Sequence, residues 1–222
     1  MNLRPRSIGG RNFAALLLTL VAALALAACG GDDDGEQSGG AGGDAKAVEE
    51  AFLTGMVHHH GTAIEMAEMA QERGQSEFVT GLADDIVSTQ EQEIGKMEAI
   101  YERLIGGELE PDPMAHDGLG LSAEEAGMTH SPETNEMLEM AMPFDRAFVD
   151  EMTPHHAGAV KMANVLLEST EDQELRDLAE GIVAAQEREI EAMNAFRTEE
   201  YGAPVPEPQG GGGGGHGGGH SG

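Results

Sequence analysis

Residues 52–70 read FLTGMVHHHGTAIEMAEMA, and residues 148–166 read FVDEMTPHHAGAVKMANVL. Phe52, Met56, His59, His60, Ala63, Met66 and Ala67 recur 96 residues later as Phe148, Met152, His155, His156, Ala159, Met162 and Ala163. The same offset carries LADDIVSTQEQEIGKM, residues 82–97, onto LAEGIVAAQEREIEAM, residues 178–193. One offset shared by two separate segments means a duplicated unit. The period inside each segment is helical, and four long helices are predicted, near 46–73, 76–105, 142–169 and 171–200. Gly74 stands where a C-cap belongs, and Ser76 is a side chain able to cap the second helix. Gly106, Gly107 and Pro111 end that helix, and Ser169-Thr170 divides the third from the fourth. Each copy, about 47–105 and 142–201, is therefore a helical hairpin with a short turn, which makes its helices antiparallel neighbours. The predicted fold is all-α, a four-helix bundle of two duplicated hairpins. A long crossover over 106–141 joins them, with short helices expected near 122–126 and 133–140.

At 100° per residue, Met56, His59, His60, Ala63 and Met66 fall in one stripe about 120° wide. Met152, His155, His156 and Met162 repeat it. On the second helix of each hairpin, Gln90, Glu93 and Met97 share a face with Leu82 and Ile86, as Gln186, Glu189 and Met193 do with Leu178 and Ile182. An unpaired buried His, Gln or Glu is costly, so polar groups kept in both apolar stripes ask for a partner. One reading is structural. Met stripes are more often core, and His59 could pair with Glu93, and His155 with Glu189. The other is a metal: thioether and imidazole donors together favour copper, Cu(I) above all, and Met56 lies one turn from His59 and His60. The duplication of His-His with flanking Met favours the metal. Zinc and iron rank below copper: zinc prefers a closed set of His, Cys or carboxylate, and the chain has no Glu-x-x-His of the di-iron bundles. Pro154, directly before His155, is expected to kink the third helix or start a new segment. His58 holds its place in the first copy, so the halves are not identical.

The ends of the chain read as an address and two spacers. Arg4, Arg6 and Arg11 precede an uncharged apolar run, Phe13 to Ala28, that closes on Leu26-Ala27-Ala28-Cys29. This is the pattern of a secretory signal peptide over 1–28, and the cysteine makes it a lipoprotein signal with Cys29 as the lipidated residue. The expected location is the outer face of the cytoplasmic membrane, held there by the lipid. Residues 29–45 read as a flexible acidic tether and 203–222 as a disordered Gly/His tail, where His216 and His220 are loose metal donors or incidental. That leaves 46–202, about 155 residues, enough for one domain with a core. Formal net charge is −29, which excludes nucleic-acid binding by charge and attracts cations. The single cysteine excludes internal disulfides. Trp is absent, and six of the thirteen Met fall at repeat-matched positions. No G-x-S-x-G, H-E-x-x-H or phosphate loop is present.

The doubled M-x-x-H-H…A-x-x-M with Q-x-x-E-I-x-x-M resembles domain-of-unknown-function family 305. So do Phe144-Asp145-Arg146-Ala147-Phe148 ahead of Met152-Thr153-Pro154-His155-His156, and Ala115-His116-Asp117-Gly118-Leu119 in the crossover. The resemblance spans roughly 47–201 and implies a ferritin-like fold. It also implies kinship with periplasmic copper-binding proteins tied to copper tolerance. It points to Met56, His59, His60, Met66, Met97, Met152, His155, His156, Met162 and Met193 as ligands, with Gln90, Glu93, Gln186 and Glu189 supporting or adding to them. Family crossovers are often Met-rich, whereas here only Met114 and Met128 stand near HDGLGLS, which leaves His116 and His130 as accessory candidates. The expected function is copper binding for buffering, transport or tolerance, without turnover, with an unidentified copper-handling protein as partner. Two rivals stand beside it: a ferritin-like metal oxidase, and a bundle whose polar core serves structure or protein interaction.

Overall fold

Caps and close-packed turns set the helix boundaries. The computed structural model describes residues 42–206, which form five α-helices, one 3-10 helix and no strand. Helix α1 is Gly42–Arg73, α2 Glu77–Leu104, α3 Pro132–Met140, α4 Phe144–Ser169 and α5 Gln173–Tyr201; the 3-10 helix is Ala115–Leu119. Ser76 caps α2 by accepting from Val79 N–H, and Asp172 caps α5 by accepting from Leu175 N–H. Each cap satisfies an amide that the first helical turn cannot. Gly106 and Gly107, at φ 92° and 84°, end α2 as expected.

The structure differs from the sequence reading in four places. Helix α1 starts at Gly42, inside the expected tether. Helix α4 runs unbroken through Pro154 instead of starting afresh there. Residues 122–126 form a hydrogen-bonded turn and not a helix, closed by Ala126 N–H to the Ser122 carbonyl at 3.0 Å and Met128 N–H to the Ala123 carbonyl at 2.8 Å. The first residues of the expected tail are tied down: Arg197 donates to the Ala203 carbonyl at 3.1 Å, and Val205 N–H donates to Asn194 at 2.9 Å. The signal segment, Cys29, the tether up to residue 41 and the tail histidines lie outside the described residues. No described helix is long and apolar enough to cross a membrane.

Helices α1 and α2 form one hairpin, α4 and α5 the other, and α1 packs on α4. The α1–α4 pair is antiparallel: Gly55 lies against Met162, while four residues on, His59 lies against His155. A pseudo-twofold axis therefore passes between His59 and His155. The buried methionines obey it. Met56, Met97 and Met162 share one apolar cluster with Phe52, Ile100 and Ile182; Met66, Met152 and Met193 share another with Ile86, Phe148 and Leu138. Each set draws two Met from one copy and one from the other. The axis also relates two clamps. Asp145, at the start of α4, accepts from Gln75 and Ser76 N–H at 2.8 Å each in the α1–α2 turn. Its repeat partner Glu49, near the start of α1, accepts from the Thr170 hydroxyl at 2.6 Å in the α4–α5 turn. Each half thus locks the other's hairpin turn.

The crossover is pressed onto both inner helices. Gly118 of the 3-10 helix meets Ala51 of α1, and the 122–128 turn meets α4 at Gly158. A Cβ on Gly158 would run into the Ala126 carbonyl and the Gly127 amide. These are backbone atoms that cannot swing aside. Gly158→Ala is therefore expected to destabilise by about 1–3 kcal/mol, read as a lower melting temperature. The same change at Gly181, where nothing lies within 4 Å, should leave the melting temperature level or raise it, because alanine favours a helix. An unchanged melting temperature in Gly158→Ala would contradict the close approach.

Candidate metal centre

The centre is the layer where α1 and α4 cross. His59, His60, His155 and His156 are 0–4 % exposed, and Met56, Met66, Met97, Met152, Met162 and Met193 are fully buried. All ten predicted ligands thus lie in the interior. The His59 and His155 rings meet across the axis, tilted 37° to each other, with centroids 3.7 Å apart. His59 Nε2–H donates to the His155 carbonyl at 3.0 Å.

The carboxylates pair one residue away from expectation. Glu93 bonds His60 at 2.8 Å, not His59, and Glu189 bonds His156 at 2.6 Å, not His155. Helical phase explains it: 100° separates adjacent residues, so when His59 faces α4 across the axis, His60 faces α2 in its own hairpin. A carboxylate accepts only, so His60 and His156 hold their protons on Nε2 and leave the Nδ1 lone pairs unused. The His59 bond to a carbonyl has the same effect on that ring. A carboxylate on the far nitrogen of a metal-binding imidazole fixes its tautomer and orientation and raises its basicity.

Among the described residues seven buried side-chain atoms have no hydrogen-bond partner: Nδ1 of His59, His60, His155 and His156, both amide atoms of Gln90, and Oε1 of Gln186. Each costs about 1–3 kcal/mol. Together they rival the whole stability of a domain, about 5–15 kcal/mol. Unpartnered buried polar groups on this scale are rare in a core that serves packing alone. Four imidazole lone pairs, in a core whose two apolar clusters each contain three of the predicted methionines, are donor chemistry that suits a soft cation. Among the described residues no three His, Cys, Asp or Glu converge closely enough to hold an ion by themselves. Met193 is already held: the Thr153 hydroxyl donates to its sulfur at 3.7 Å. The first copy has Val57 where Thr153 stands, so only one half has this bond.

Burial holds His59 and His155 well below the ordinary 6.5. For His59 the His60 and His156 rings add to this, against the bond to the His155 backbone. For His155 the His59, His156, His130 and His60 rings add to it. Both are therefore neutral at pH 7, the state a metal requires. Stability follows with a definite sign. Below 6.5 the unfolded chain protonates these rings and the folded chain does not, so acid favours unfolding. The metal-free protein is expected to hold its full stability above pH 6.5. Its melting temperature should drop by roughly 5 °C or more between pH 7.5 and 5.5. Equal melting temperatures at the two pH values would contradict burial of neutral rings.

The crossover histidines differ. His116 is buried and its Nδ1–H donates to the Leu121 carbonyl at 2.9 Å, closing the loop after the 3-10 helix. His130 is half-buried and donates Nε2–H to Asn135 at 2.6 Å, and it borders a cavity of about 300 Å³ that reaches His155. Sequence reasoning missed the Asp145 and Glu49 clamps, although both are acids at the repeat offset. It also missed the Thr153 bond, for which the sequence carries no signal.

The sequence model of a family described as domain of unknown function (DUF305) matches residues 49–197. Among solved structures, CopM in the Cu(I)-bound form is 31% identical with a TM-score of 0.58, the match covering 69% of this chain and 98% of that one. CopM structures with silver and with Cu(II) bound match similarly. A putative secreted DUF305 protein from Streptomyces coelicolor is 26% identical with a TM-score of 0.64, covering 74% of this chain and 99% of that one. An uncharacterised protein of Acanthamoeba polyphaga mimivirus, L153, is 33% identical over 55 residues, 25% of this chain. The chain spans little more than a third of that curated relative, 36% of its length.

Proposed function

Because the chain belongs to the DUF305 family, and because four buried imidazole lone pairs stand among its methionines, we propose that it binds copper as cargo, Cu(I) above Cu(II), without turnover. The observation that carries this reading is the set of four unpartnered Nδ1 atoms, three of them on rings whose Nε2 is already engaged. Copper bound to CopM supports the metal's identity, as does the pairing of thioether with imidazole donors. In this reading the four long helices are a ferritin-like four-helix bundle. Cys29 carries a lipid that holds the protein on the outer face of the cytoplasmic membrane, and the role is copper buffering, transport or tolerance in concert with a copper-handling protein.

The residues divide the work. His59, His60, His155 and His156 supply nitrogen, and Met56, Met97, Met162, Met66, Met152 and Met193 supply sulfur. Glu93 and Glu189 keep the protons of His60 and His156 on Nε2. Thioethers do not protonate in the physiological range and His59 and His155 are already neutral, so few protons need leave when the ion arrives. The buried layer excludes water, which protects a reduced, weakly hydrated ion better than a strongly hydrated one.

The test is an anaerobic Cu(I) titration of the full chain against a chromogenic chelator, with His216 and His220 replaced by alanine so that the tail does not contribute. Replacing all four core histidines by alanine is expected to weaken binding by more than about 100-fold, since loss of partners outside the ligand set alone costs about 10–100-fold. Met56→Leu with Met152→Leu, which conserves volume and keeps the core packed, should also weaken binding. Unaltered affinity in both variants would refute the site.

A further inference from the structure

An ion destined for a buried layer needs a way in, and the two halves differ at a cavity that reaches a core histidine. Among the described cavities, the 300 Å³ one touches a core histidine. Its wall includes Glu124, Thr129, His130, Glu151 and Pro154, and its floor is His155. A neighbouring cavity of about 170 Å³ shares Glu124, Pro154 and Pro206 with it and reaches Thr153, whose hydroxyl touches the Met193 sulfur. Both cavities thus approach the buried layer from one side.

The equivalent place in the first copy is filled. Glu151 corresponds to Gly55, over which Ala115 of the 3-10 helix and Met162 are packed, 3.0 and 3.2 Å from where a Cβ would stand. Pro154 corresponds to His58, which is half-buried. The duplication therefore kept the donors in both halves and left one half open. The chemistry of the opening suits a cation. Glu124 and Glu151 are exposed carboxylates at the rim, which raise the local cation concentration. His130 is oriented by its bond to Asn135, and because Nε2 is the donor, Nδ1 carries the free lone pair.

Resting on the copper reading above, we propose that this cavity is the port through which copper reaches the buried histidines, with His130 as the relay ligand between solvent and His155. The port passes ions and does not store them; its lining contains no methionine to complete a soft donor set.

The experiment is stopped-flow transfer of Cu(I) from a chromogenic chelator to the full chain without oxygen, with equilibrium loading and the melting temperature of the metal-free protein measured on the same samples. His130→Ala, and separately Thr129→Trp to plug the rim, are expected to slow loading about 10-fold while final stoichiometry, affinity and melting temperature stay level. Glu151→Gln should slow loading at low salt and less so at high salt. His58→Ala, on the filled side, should load at the unaltered rate. Equal rates in the unaltered chain, His130→Ala and Thr129→Trp would overturn the port. Loss of equilibrium affinity in His130→Ala would overturn the relay role, since His130 would then be a holding ligand. Failure of the unaltered chain to take up Cu(I) at all would overturn the copper reading, and the port with it.

Discussion

Loading with Cu(I) is expected to raise the melting temperature of the protein by about 10 °C. A ligand that binds only the folded state stabilises it by about 4.1 kcal/mol at a free concentration 1,000 times its dissociation constant. A fold of this size gains about 2–4 °C per kcal/mol. The effect should be large here because the metal-free layer carries seven unpartnered polar atoms, four of which the ion would engage directly. The rise should be absent in the variant lacking all four core histidines. A core that used these residues only for packing would show no dependence on the metal, so scans with and without Cu(I) under anaerobic conditions separate the two cases.

Glu93→Gln and Glu189→Gln are each expected to weaken copper binding by about 10–100-fold, or about 1.4–2.8 kcal/mol. Neither carboxylate has to touch the ion for this. Glutamine fills the same space and can still accept from Nε2–H through its oxygen, but it brings no negative charge to the ring. If the amide turns its NH2 group to the imidazole, the ring must carry its proton on Nδ1 and the lone pair is lost. The pseudo-twofold predicts comparable losses at the two positions, because the bonds are alike: 2.8 Å for His60–Glu93 and 2.6 Å for His156–Glu189. Competition titrations read this. Unchanged affinity in the double variant would mean that the carboxylates serve packing alone.

The duplication made much of this legible in the sequence. Periodicity placed the long helices to within a few residues, because caps such as Ser76 and breakers such as Gly106-Gly107 act locally. The buried faces that carry the paired histidines and the methionines were legible for the same reason, since position on a helix fixes direction. Partners across helices were not. Pairing Glu93 with His59 in place of His60 is an error of one residue, and it needs the rotation of α1 relative to α2, which packing sets. The sharing of Met162 with Met56 and Met97 depends on the antiparallel contact of α1 with α4, which joins halves that the sequence presents as separate hairpins. The closeness of Gly158 to the 122–128 turn is backbone on backbone, and no side-chain pattern records it. Pro154 does not start a new segment, because a proline's effect on a helix depends on what surrounds it, and α4 is held on both sides of that residue by buried neighbours such as Met152 and His156.

Nitrogen-15 NMR of the imidazoles reads directly which nitrogen atoms would meet the ion, since Cu(I) is diamagnetic. In the metal-free protein the rings of His59, His60 and His156 should show protonated Nε2 and unprotonated Nδ1. On adding Cu(I), the Nδ1 resonances of the core histidines should shift while Nε2 of His60 and His156 keeps its proton. Core Nδ1 resonances unmoved by Cu(I), with shifts confined to His216 and His220, would contradict copper binding by the core histidines.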